Sequence, residues 1–170
     1  LEKARPDLYS TSMKLFKNIK KWLENQEHLF YLFLLILIVP NIILSFTEPM
    51  PVVAKVCNVL LPFAFYYLLM TLSRNCGKMF WILFLFIFFG AFQIVLLYLF
   101  GQSIIAVDMF LNLVTTNSSE AMELLDNLVP ALVSVIILYI PALILAAISI
   151  IKKRKLSSEF IRRERKKAWI

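Results

Sequence analysis

Asn112, Thr116 and Glu120 recur at four-residue intervals, and on a helix that spacing stacks an amide, a hydroxyl and a carboxylate along one stripe. Such a row can hold a zwitterion. The carboxylate pairs with an ammonium, while the amide and hydroxyl donate to phosphoryl oxygens. Glu123 adds a second carboxylate on the same side, and Lys55 in another segment offers a cation to a lipid phosphate or simply snorkels to the surface. A solvated face of an amphipathic helix has the same composition, so spacing alone leaves both readings open. Asn117 with Glu120 three residues later also resembles a capping box, which would divide the segment near Thr116.

These residues lie in Ile104 to Leu128, the only long stretch between apolar runs that carries acidic and hydroxyl residues but no Lys or Arg. Phe110, Leu113, Val114, Ala121, Leu124, Leu125 and Leu128 would form its apolar back. A membrane surface suits such a helix. The rest of the chain supplies the membrane. It is 61% hydrophobic, far above the roughly 45–50% of soluble domains. The expected class is an all-α membrane protein with four transmembrane helices and an amphipathic periplasmic loop, truncated before a fifth helix. No short alternating segments suggest a barrel.

In order, residues 1–12 read as a leader foreign to the fold, since Met13 looks like a natural start. Residues 13–28 form a basic amphipathic helix lying on the membrane, with His28 packed at the interface. The spans are expected at 29–46, 52–73, 79–100 and 129–151, each near the ~20 residues a bilayer core requires. Pro40 should kink the first span or end its regular part, and Pro62 and Pro141 interrupt the second and fourth. The loop is 101–128 and the basic tail 152–170. Lys166 and Lys167 followed by Ala-Trp-Ile read as the threshold of another span.

Charge orients the spans. Of the 18 basic residues, six precede the first span, two (Arg74 and Lys78) sit in the second turn and nine in the tail, leaving Lys55 alone on the other side. The positive-inside rule puts both ends in the cytoplasm and the loop outside. A net charge of +7 therefore speaks for anionic headgroups rather than nucleic acid.

No catalytic set is legible. Gly77, Gly90 and Gly101 are isolated, so there is no phosphate loop. One His and two Cys, Cys57 and Cys76, make no metal-ligand spacing. No Ser or Thr has a neighbouring base. Asn41, Asn58 and Gln93 inside the runs read as interhelical hydrogen-bonding groups.

The stretch from Ile104 to Leu125, between the third and fourth spans, resembles the periplasmic loop of bacterial phosphoethanolamine transferases, the lipid A-modifying enzymes of the inner membrane. The family's Asn-x3-Thr-x3-Glu motif is matched by Asn112, Thr116 and Glu120. The resemblance runs from Met13 to Ile170 by helix order and loop placement. It implies five spanning helices followed by a sulfatase-like periplasmic domain. There, a zinc-activated threonine takes phosphoethanolamine from phosphatidylethanolamine and passes it to lipid A. It further implies that the three motif residues contact the lipid-borne headgroup. The fifth helix, the threonine and the zinc ligands are not among these 170 residues, so zinc is expected only in a domain beyond them and no cofactor within them. Two alternatives stand beside this reading: the anchor of a related glycerophosphate or lipoteichoic-acid-type transferase, and a non-enzymatic four-helix scaffold.

Overall fold

Asn25 divides what the sequence presents as one basic helix. Its side-chain oxygen accepts a hydrogen bond from the Glu27 amide at 2.9 Å, which makes it the N-cap of a new helix. The computed structural model describes residues 6–100 and 118–168. Within them lie α1 (Pro6–Glu24), α2 (Gln26–Thr47), α3 (Val52–Met70), α4 (Cys76–Ile82), α5 (Phe84–Phe100), α6 (Ser118–Ile151) and α7 (Ser158–Ala168). Among the described residues there is no strand. The surface helix thus begins inside the supposed leader, at Pro6, and ends at Glu24, so that His28 belongs to α2. Leu15, Ile19 and Trp22 on α1 are exposed, as an interfacial helix requires.

Three helices are long and apolar enough to cross a membrane: Gln26–Thr47, Val52–Met70 and Val129–Ile151. A fourth span exists if α4 and α5 count together, because they are bent by 62° at Leu83. Pro40, Pro62, Pro130 and Pro141 all lie within continuous helices. The one break inside an expected span falls instead where there is neither Pro nor Gly. Close approaches on either side of it account for the bend. At Gly77 on α4 a Cβ would run into the Ala146 carbonyl oxygen of α6. At Gly90 on α5 a Cβ would stand 2.9 Å from both Pro40 of α2 and the Tyr139 hydroxyl of α6. Each half is seated separately, and Leu83, 2% exposed, takes up the difference.

The outer surfaces of these helices are apolar. Leu61, Leu85, Phe88, Phe89 and Ile137 are all more than half exposed, as lipid-facing residues are. Large buried side chains gather at one end. Phe30 and Phe33 begin α2, Met70 ends α3, Phe80 is on α4, and Leu156 and Phe160 lie beyond α6. Phe33 stacks on Phe80 with ring centroids 4.5 Å apart, and Phe160 meets Phe30 edge-on. This packed end is the basic end of the chain.

Candidate functional site

The residues singled out in the sequence are only partly among the described ones. Asn112 and Thr116 lie outside the described residues. Glu120 and Glu123 lie in the first turns of α6. They stand nine and six residues before Val129, where the apolar span begins, or about 13 and 9 Å of helix rise. Asn117, foreseen as a capping position, likewise lies outside the described residues.

Lys55 is half-buried near the start of α3, beside a polar set that joins α2 to α3. Asn58 Nδ2 donates to the Asn41 carbonyl and to Ser45 Oγ, each at 2.9 Å. Asn41 Nδ2 donates to Asn58 Oδ1 at 3.4 Å. The Ser45 hydroxyl is shared between the Asn41 and Lys55 carbonyls, at 2.9 and 3.2 Å. Asn41 and Asn58 are therefore the interhelical pair expected of them, and such bonds hold helices where lipid offers no partner. Gln93, half-buried on α5, is outside this set.

Among the described residues the densest polar chemistry is at the basic end, and the sequence reading missed it. The Glu164 side chain on α7 is fully buried. Its Oε2 accepts from the hydroxyls of Tyr67 at 2.5 Å and Tyr31 at 3.0 Å. Its Oε1 accepts from Arg163 Nε at 2.9 Å and Lys167 Nζ at 3.0 Å. Burial alone would raise the carboxyl's pKa, but the bonds from Tyr67, Arg163, Lys167 and Tyr31 outweigh it and hold the group down at about 2. The bond to Glu164 in turn raises the Arg163 guanidinium. A carboxylate that accepts four bonds and stays ionised is neither acid nor base at neutral pH. It is a clamp on α7. One signal was available: Glu164 interrupts a run of Arg and Lys, with Lys167 three residues on.

Around this clamp the chain ties itself together through backbone groups. Arg74 Nε donates to the Leu156 carbonyl, and the Leu156 amide donates to the Arg74 carbonyl, at 3.0 and 2.7 Å. Asn75 Nδ2 reaches the Arg154 carbonyl at 3.1 Å, and Arg165 reaches that of Thr71 at 2.8 Å. Deeper, Gln26 Oε1 accepts from Ser149 at 2.8 Å and from the Cys76 thiol at 3.4 Å. Several of the basic residues beyond the spans are thus structural.

No protein-family model, curated protein or solved structure matches the chain. Among the described residues no three His, Cys, Asp or Glu side chains come together. His28 stacks on Trp22 with Nδ1 3.2 Å from that residue's carbonyl, Cys76 is buried against Gln26, and Cys57 is exposed.

Proposed function

We infer that this chain is the membrane anchor of a phosphoethanolamine transferase of the bacterial inner membrane, and that it presents the donor lipid, phosphatidylethanolamine, for transfer to lipid A. The catalytic threonine and its zinc would come from a part of the enzyme outside these residues. The ammonium of the donor would pair with Glu120, its phosphate with Asn112 and Thr116, and Glu123 and Lys55 would flank them.

The observation that carries this reading is the unbroken helix from Ser118 to Ile151. Glu120 and Glu123 are on the same rod as an apolar span, so their backbone stands at a set distance from its start. Headgroup recognition needs that fixed distance, and a loop would not supply it.

Replacing Glu120 by Ala in the enzyme that contains this segment should lower phosphoethanolamine transfer by at least about 100-fold, the cost of losing a charge-assisted contact at the reacting lipid. Protein level and helix content should not change. Mass spectrometry of the lipid product reads the result. Wild-type transfer by the variant refutes the assignment, and a glycerophosphate product in place of phosphoethanolamine moves the chain to the related transferases.

A further inference from the structure

A cavity of about 230 Å³ lies between α1 and the end of α6, at the basic end and far along the chain from the Asn112–Glu120 ridge. Its walls are aliphatic: Ile19 and Leu23 from α1, Leu145 and Ile148 from α6. Lys20, Lys152 and Arg154 also line it, against the single carboxylate of Glu24. Arg154 holds that carboxylate at 3.5 Å and donates to the Glu24 carbonyl at 3.4 Å, so it bridges α1 to the turn after α6. The cavity keeps two positive charges in excess.

The turn that brings Lys152 and Arg154 to one cavity is unusual. Lys153 between them has φ of 49°, the left-handed conformation that glycine adopts most readily. The Lys153 amide donates to the Ile150 carbonyl at 2.9 Å and the Arg154 amide to that of Ser149 at 3.0 Å, which ends α6 sharply. A lysine at a position suited to glycine preserves the run of four cations just beyond the span.

We propose that this cavity is a binding site for an anionic glycerophospholipid of the leaflet at the basic end. Lys20, Lys152 and Arg154 receive the phosphate, and the acyl chain lies along Ile19, Leu23, Leu145 and Ile148. The depth fits: Leu145 and Ile148 belong to the last turns of the span Val129–Ile151, and Lys152 is the first residue beyond it. A free phosphate would satisfy the cations but leave the four aliphatic walls bare, whereas a diacyl phosphate covers both. The bound lipid would brace α1 against α6 beside the Arg154–Glu24 bridge.

The test uses the whole chain in phosphatidylcholine vesicles doped with a photoactivatable phosphatidylglycerol, with cross-linked peptides mapped by mass spectrometry. Label should fall on the peptides holding Ile19–Leu23 and Leu145–Ile148. Charge reversal at Lys20→Glu with Lys152→Glu should reduce it at least about tenfold, since each lysine beside an anionic headgroup contributes on the order of 1 kcal/mol, and two reversals exceed a decade. Ile148→Trp fills the apolar wall without touching a charge and should lower the labelling too, so the outcome stands even if the reversed variant fails to fold. Unchanged labelling in Ile148→Trp overturns the proposal, as does label scattered over the whole lipid-facing surface. Equal competition by millimolar glycerol phosphate would make the site one for soluble phosphates and overturn the lipid assignment.

Discussion

Tyr67 on α3 and Glu164 on α7 meet through a 2.5 Å hydrogen bond across 97 positions of sequence. Tyr31 of α2 donates to the same carboxylate oxygen. One acidic side chain therefore fixes the tail helix to the ends of two spanning helices. The tail is a docked part of the fold, and its basic face is displayed at a set angle.

Breaking this clamp should release α7. Glu164→Ala leaves the two tyrosine hydroxyls without their shared acceptor while the half-exposed Arg163 and Lys167 stay solvated, at a cost of about 2–4 kcal/mol. Tyr67→Phe removes a single bond to a charged group and should cost roughly 1.5–3 kcal/mol. The double variant should be no worse than Glu164→Ala alone, because the pair shares one interaction. Thermal unfolding in detergent, with trypsin cleavage at Arg162 and Arg163 as a local readout, measures both. Full additivity would show that the bond does not couple them.

The clamp is also a source of pH dependence. Glu164 is held at about 2, below its ordinary 4.5. The folded state therefore binds fewer protons than the unfolded one between those values, and stability rises with pH across the window. Its contribution is complete above about 4.5 and is lost as pH falls toward about 2. Tail protection from an acid-tolerant protease such as pepsin should fall over that range in the wild type, and the fall should be absent or much reduced in Glu164→Gln. An identical acid profile in the two proteins would assign the transition to another group.

Two glycines should differ in their tolerance of a methyl group. At Gly77 the obstacle is the Ala146 carbonyl, part of the α6 backbone, which can yield only if helices separate. At Gly90 it is a proline ring edge and a tyrosine hydroxyl, both able to shift. Gly77→Ala should therefore destabilise by about 2–3 kcal/mol and Gly90→Ala by less, about 1 kcal/mol. Thermal midpoints in one detergent settle the order, and the reverse order would move the pivot of the bend away from α4.

Some of this was legible in the chain and some was not. Apolar runs of spanning length and their Lys and Arg flanks are local properties, so the helices and the basic end follow from residue order. Asn41 and Asn58 were readable as interhelical partners because an amide in a lipid-facing run has few other outlets. The bend at Leu83 was not readable: no local breaker stands there, and it arises from separate close contacts at Gly77 and Gly90. The cap at Asn25 was hidden by a helical pattern that runs on through it.

By itself, then, the sequence determined a helical chain with several apolar runs of spanning length flanked by Lys and Arg, since these depend only on which residues neighbour each other along a helix. Tertiary structure decided where the rigid centre lies. Tyr31 and Tyr67 stand 133 and 97 positions from Glu164, and no periodicity links residues so distant. Only the packing of α2, α3 and α7 brings three ordinary polar side chains to one buried point, where lost solvation makes their hydrogen bonds decisive.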